Sequence, residues 1–291
     1  MKKTSIMCCL YDENKQPISD AFDKIHEFNN GFARVKRNDK WNFINEEGKV
    51  ISNQWFDDCG NFYNGFAAIE LNDKYNFINQ EGRLISNQWF EWCCNFHEGF
   101  TWVKLNDKYN FINQKGQFLG NQWFDDCSIF RGGFAVVRLN NKRNFINQEG
   151  KFLSNQWFDR CWDFCEGFAM VELNDKYNLI NQEGKFLSNQ WFDNCGGFVN
   201  DFAWVRLNDG HNFINQEGKI ISNRWFDNCW NFTNGFAAVK VNGKYNFIDR
   251  KGKLLSNQWF DTCWDFYKGF GKVELNGEEY YIDANGNLTE I

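Results

Sequence analysis

Cysteine, histidine and aspartate are the reactive side chains of this chain, and their spacing decides what each set could do. Eleven cysteines are present. Cys161 and Cys165 flank three residues, but no further His or Cys lies near enough to complete a zinc set. Cys93-Cys94 and Cys8-Cys9 are adjacent pairs, not the CxxC of redox or zinc motifs. The three histidines, His26, His97 and His211, fall at three unrelated places, and none has a nucleophile at useful spacing. Asp57, Asp125, Asp159, Asp193, Asp227 and Asp261 recur regularly and raise the question of calcium, but the glycine-dense nonapeptides of calcium-binding β-repeats are absent. Each Asp is read instead as closing a turn through its own backbone. The expectation is therefore no catalytic residue, no metal, no cofactor and no enzymatic activity.

The regular spacing of those aspartates is the larger signal. Gly65–Glu98 is a 34-residue unit that the chain repeats without change of length. Its opening Gly-Phe recurs at Gly31, Gly99, Gly133, Gly167, Gly235 and Gly269, and Asp201-Phe202 keeps the Phe alone. A fixed period in this range means stacked supersecondary units whose stability comes from neighbours. The boundaries expected are a capping partial repeat at residues 1–30, seven full repeats at 31–268 and a second capping partial repeat at 269–291, in one continuous domain.

Within a unit, Ala67, Ile69 and Leu71 alternate with Ala68 and Glu70, the period of a half-buried strand. Asn72-Asp73 suits a tight hairpin turn into Lys74–Ile78. Gly82 then marks a longer turn into a third strand at Arg83–Phe90, and Glu91–Glu98 returns as a loop or a short fourth strand. Asn, Gly and aromatic residues without a 3.6-residue period argue against helix. The fold class expected is all-β: tandem repeats of about three antiparallel strands in an open, twisted, solenoid-like array, with a closed propeller-like ring as the alternative. The open form is favoured because both ends break off partway through a unit.

Aromatic residues are abundant, with 33 Phe, 14 Trp and 9 Tyr. The column Trp55, Trp89, Trp123, Trp157, Trp191, Trp225 and Trp259 is read as a core spine stacking unit on unit, or else as a row of ligand platforms. Asn42, Asn76, Asn110, Asn144, Asn178, Asn212 and Asn246 are read as a structural ladder of amides. Seven cysteines also share one column, Cys59 to Cys263, and read as small buried apolar groups in a reducing compartment.

Net charge is −6 with interspersed signs, so no nucleic-acid partner is expected. No segment is long and apolar enough for a membrane helix, and Met1-Lys2-Lys3 is followed by too short an apolar run for a signal peptide. The chain is read as soluble and not exported.

Lys40-Trp41-Asn42-Phe43-Ile44-Asn45, Gly48, Phe56-Asp57 and Phe62–Ile69 resemble the repeat of the bacterial WG (KWG) family. The similarity covers residues 6–291, although Trp survives in its place only at Trp41 and the family's glycine is Asn throughout. The resemblance implies β-repeats from bacteria or bacteriophage, a location in the cytoplasm of the bacterial cell or infected host, and no catalytic residues.

Binding positions should be those that vary between units. One such column holds Arg34, Ala68, Trp102, Val136, Met170, Trp204, Ala238 and Lys272, beside an always charged column on what should be a solvated face. A second holds Gly60, Cys94, Ser128, Trp162, Gly196, Trp230 and Trp264, and the residue before the column Cys also varies, as Trp92 and Arg160 show. Trp92, Trp102, Arg160, Trp162, Trp204, Trp230 and Trp264 are thus the candidate partner-binding residues. The bland alternative is that these tryptophans cap the core at unit junctions. The function expected is a scaffold presenting an extended surface to a protein partner, or alternatively a small-ligand or glycan-binding module using exposed tryptophans. The atypical end units predict a monomer.

Overall fold

Hairpins dictate the local structure. In the computed structural model, which describes residues 8–290, Asn72 and Asp73 both take positive φ (53° and 57°) and turn strand Phe66–Leu71 into strand Lys74–Asn79. Positive φ at both central residues is the turn whose twist matches the flanking strands. The register is Phe66 opposite Asn79 through Leu71 opposite Lys74. The same pair of six-residue strands recurs along the chain, as at Phe32–Arg37 with Lys40–Asn45 and Phe236–Val241 with Lys244–Asp249.

The third strand of each sheet is not where alternation placed it. It is a two-residue segment holding the column Cys, such as Asp58–Cys59, antiparallel to the following long strand with Cys59 opposite Ile69. Residues 83–90 form no regular strand and touch the sheet edge through two isolated bridges, Ile78 with Leu84 and Tyr75 with Phe90. The reason is the Asn column. The buried Asn76 donates its amide N–H groups to the carbonyls of Ser86 (2.8 Å) and Gln88 (3.1 Å), and its Oδ1 accepts the N–H of Phe77 (2.8 Å). A side chain thus replaces the ladder and lets the segment bulge away. The expected amide-to-amide ladder is corrected: each Asn braces its own loop.

Gly82 has φ +77°, and a Cβ there would lie 1.7 Å from the carbonyl oxygen of Ile51 in the preceding unit. The glycine both makes the turn and lets two backbones meet.

The described residues form eight sheets, seven of three strands and a last of four. They are separate antiparallel ladders that follow one another along the chain, not one closed barrel sheet, as expected for all-β tandem repeats. The chain divides into two compact units, one running to Asn141 and including Ile146–Lys151, the other taking Lys142–Phe145 and everything from Phe152. In each unit the core lies between consecutive sheets. A representative cluster joins Phe43 of one sheet to Phe56, Cys59, Phe62, Ala67, Ile69 and Ile78 of the next.

The buried spine is phenylalanine, not tryptophan. Phe56, Phe90, Phe124, Phe158, Phe192, Phe226 and Phe260 are at most 1 % exposed, whereas Trp55 and Trp89 are half-buried against the core of the sheet before them. A second set of phenylalanines packs one repeat on the next within each compact unit. Phe62 lies 4.4 Å from Phe32 and 4.9 Å from Phe43; Phe266 lies 4.2 Å from Phe236 and 5.0 Å from Phe247. Phe96, Phe130 and Phe232 are gripped by two rings in the same way.

The last unit ends differently. Leu288–Glu290 pairs regularly with Glu278–Asp283, and Tyr280 stands where the bracing Asn would be. With a true fourth strand there is no bulged loop to brace. Met1-Lys2-Lys3, Ile6 and Ile291, which figured in the readings of the two ends, lie outside the described residues.

Candidate functional site

The two variable columns are hydrogen-bonded neighbours. After the column Cys, the chain turns back at Asn64-Gly65, whose φ values of 49° and 86° make a second tight hairpin. That turn brings position 60 against position 68, and the N–H of Gly60 donates to the carbonyl of Ala68 at 2.8 Å. The pairing repeats at Cys94 to Trp102, Ser128 to Val136, Trp162 to Met170, Gly196 to Trp204, Trp230 to Ala238 and Trp264 to Lys272. No pair carries two tryptophans, and where one partner is Trp the other is often small: Cys94, Gly196 and Ala238.

The physical cause is a shared floor. Trp102 packs on Tyr109 (5.4 Å between ring centroids) and Trp204 on His211 (6.2 Å), each from the long strand. Trp162 packs on Tyr177 (6.1 Å) and Trp230 on Tyr245 (5.7 Å), each from the loop. One large ring covers one constant position from either side. Where Trp204 does so, a Cβ on Gly196 would come within 2.3 Å of the indole Nε1, so any side chain there has to displace the ring.

Charged neighbours tune these rings. Lys36, Lys104 and Lys240 hold their ammonium groups 5.6, 5.9 and 5.1 Å from the ring centroids of Trp41, Tyr109 and Tyr245, cation–π distances. Where the column carries Glu instead, the hydroxyls of Tyr75 and Tyr177 titrate above the ordinary range, first through burial and then through the nearby carboxylates of Glu70 and Glu172. The face expected to be solvated is thus largely half-buried, and Glu172 is only 6 % exposed.

The candidate residues divide accordingly. Trp92, Trp230 and Trp264 are exposed at 52 %, 41 % and 44 %, while Trp102, Trp162 and Trp204 are half-buried. Trp92 reaches back to Tyr75 of the preceding sheet, 4.9 Å away. Arg160 sits opposite Glu172, with Nε 3.6 Å from its Oε2, so its charge is engaged within the sheet. The offset of eight residues around an Asn-Gly turn was the signal in the sequence that could have joined the two columns.

The chemical sets stay apart. Among the described residues no three His, Cys, Asp or Glu side chains gather as metal ligands would. Cys165 directs its thiol to the carbonyl of Phe198 at 3.6 Å. Burial pushes the thiols of Cys59, Cys93, Cys195, Cys229 and Cys263 up to about 12. The column aspartates do not close their own turns. Asp57 takes the ammonium of Lys40 from the sheet before it and the N–H of Asn72 from the hairpin ahead. The described residues hold no helix long and apolar enough to cross a membrane.

A family model described as "WG containing repeat" matches residues 10–41, 43–75, 77–109, 111–142, 145–177, 179–210, 213–245 and 247–278. No curated protein matches the sequence. Solved structures are similar at low identity. Apo AztD from Citrobacter koseri shares 10 % identity over 83 % of this chain and 86 % of its own, with a TM-score of 0.34. Kluyveromyces lactis Hsv2 shares 11 % over 76 % and 87 %, with a TM-score of 0.33. A eukaryotic initiation factor shares 10 % over 95 % and 90 %, with a TM-score of 0.37.

Proposed function

This chain belongs to the WG-containing repeat family, and on that premise we propose that it is a non-enzymatic scaffold whose sheets present their variable face to a protein partner. One observation carries the proposal. The backbone is constant from unit to unit and the floor position carries a ring in six of eight units (Trp41, Tyr75, Tyr109, Tyr177, His211 and Tyr245), while the side chains laid over it change at two paired positions. Variation at paired positions on a part-exposed face is the pattern of a surface that distinguishes partners. Tryptophan and arginine, the residue types enriched in binding hot spots, are among its members.

The test is capture from the native host with the full chain as bait. The expected result is a stoichiometric protein partner that is lost when Trp162→Ala and Trp230→Ala are combined, with circular dichroism unchanged. Retention of that partner by the double variant would remove the face from the mechanism. A glycan reading draws on the Trp92 and Tyr75 ring pair, where the exposed indole could stack on a sugar. Saturable changes in tryptophan fluorescence across a panel of soluble sugars would favour it.

A further inference from the structure

At the junctions of Phe62, Phe96, Phe130, Phe232 and Phe266 the phenylalanine enters a grip made by two rings of the repeat before it, and under Phe198 Leu179 takes the place of one ring. Phe266 lies nearly parallel to Phe236, at 27°, and edge-on to Phe247, at 88°. The rings equivalent to Phe247 are closed over: Phe43, Phe77, Phe111 and Phe213 are at most 1 % exposed. The last unit repeats the grip with Phe270 and Tyr281, and there it stands open. These two rings are 6.3 Å apart and are 49 % and 45 % exposed. They line a cleft of about 550 Å³ with Tyr267, Lys272, Asp265 and Thr289. The added fourth strand does not fill it.

Charge says what kind of segment fits. At five interior junctions a lysine of the earlier unit holds an aspartate of the later one, as Lys40 holds Asp57, Lys108 holds Asp125 and Lys244 holds Asp261; Lys74 faces Glu91, and among the interior units only Gly210 breaks the column of lysines. That aspartate precedes the inserted phenylalanine by five residues, as Asp261 precedes Phe266. In the last unit the lysine position is Glu278, beside a second, acidic cleft of about 380 Å³ lined by Glu278, Glu279, Tyr280 and Glu290. A segment entering the open grip therefore meets negative charge where interior segments meet positive charge.

We propose that the open grip of Phe270 and Tyr281 is a docking socket for a loop of a partner protein that carries Lys or Arg five residues before a Phe. The proposal names a partner segment for the scaffold reading above and rests on it only in taking the partner to be protein. The interface is a continuation of the one the chain builds between its own units. A second copy of the chain is a poorer occupant: its exposed Phe28 is preceded at that spacing by Asp23, which would face Glu278 with like charge.

The test uses a fluorescently labelled peptide with the sequence of residues 57–66, carrying Asp57→Lys and Cys59→Ala, titrated with the full chain by anisotropy. The expected result is saturable binding below about 1 mM. Replacing the peptide's phenylalanine, Phe62→Ala, should weaken it at least about tenfold, as loss of a buried aromatic anchor does. The peptide that keeps Asp57 should bind several-fold more weakly than the lysine form, and Glu278→Lys in the protein should reverse that order. Phe270→Ala should abolish binding, while Tyr281→Phe, which keeps the ring, should retain it.

No saturable binding to the wild-type chain, or equal binding of the Phe62→Ala peptide, overturns the socket. Concentration-dependent self-association in sedimentation that Phe270→Ala abolishes overturns the occupant in favour of a second copy. The variants Trp162→Ala and Trp230→Ala should leave peptide binding unchanged. Failure of the face and failure of the socket are therefore read separately.

Discussion

The carboxylate of Asp57 accepts the backbone N–H of Asn72 at 2.7 Å, so a residue on the approach to the short strand fixes the hairpin turn at the far end of the long ones. The contact recurs from Asp125 to Asn140, Asp159 to Asn174, Asp193 to Asn208, Asp227 to Asn242 and Asp261 to Asn276. With the lysine of the preceding sheet on its other oxygen, each of these aspartates except Asp227, which faces Gly210, ties two sheets and one turn together.

Acid should undo this clamp. The lysine hydrogen bond, then the backbone N–H, holds Asp57, Asp125, Asp159, Asp193 and Asp261 below the usual carboxylate range. A lowered folded-state pKa gives stability that is full above the unfolded value of about 3.9 and is lost as pH falls through the folded values. Urea unfolding should show a midpoint that is flat from about pH 7 to about pH 5 and falls steeply below about pH 4. Asp57→Asn should lower the midpoint at neutral pH and reduce the drop in acid. An unchanged acid limb in that variant would assign the loss to other groups.

Local pattern was enough to read the two long strands and the Asn-Asp turn, because alternation and turn chemistry are properties of neighbouring residues. The short strand is legible only as one alternative, a loop or a short strand within Glu91–Glu98, while Arg83–Phe90 reads as a strand that it does not form. Asp58–Cys59 is too short to alternate, and its partner lies beyond a second turn. The Asn column was seen as a set, but its role depends on which carbonyls the fold brings to Asn76, and neighbouring residues do not contain that. The tryptophan column suffered likewise. Trp89 and Phe90 are adjacent, and only packing against the preceding sheet decides that the Phe is buried and the Trp half-covered. For the candidate site, every variable position was visible, but the pairing of Gly196 with Trp204 was not.

The bracing asparagine should be among the costliest polar residues to remove. Asn76→Ala leaves the carbonyls of Ser86 and Gln88 and the N–H of Phe77 without their side-chain partner in a part-buried setting. A loss of about 2–3 kcal/mol in chemical denaturation is expected, from unsatisfied groups rather than lost packing. Asn76→Asp should do no better, because a carboxylate accepts but cannot donate to the two carbonyls. Full stability in either variant would mean that water replaces the amide without penalty.

Thiol chemistry should separate the cysteines by burial. The thiols of Cys59, Cys93, Cys195, Cys229 and Cys263, pushed up to about 12, carry almost no thiolate near neutral pH, whereas Cys8 and Cys165 are exposed. Labelling the native chain with a disulfide reagent at about pH 8 should modify the exposed pair first, and the column should react only on unfolding. Peptide mapping gives the order. Early modification of Cys59 would show that the junction it occupies opens readily.

Two glycines should respond in opposite ways to the same added methyl group. At Gly82 the new Cβ would meet the backbone oxygen of Ile51 at 1.7 Å, and φ is +77°. Neither neighbour can yield cheaply, so Gly82→Ala should destabilise by more than about 2 kcal/mol. At Gly196 the obstacle is the side chain of Trp204, with Nε1 at 2.3 Å, and φ is not in the left-handed region. The indole can swing away, so Gly196→Ala should cost little stability but lift Trp204 off His211. A red-shifted tryptophan emission and a changed near-ultraviolet dichroism are expected, with the unfolding midpoint nearly kept. A large loss of stability without a spectral change would mean that Trp204 is locked in place, and that size matching across this pair serves packing rather than an adaptable face.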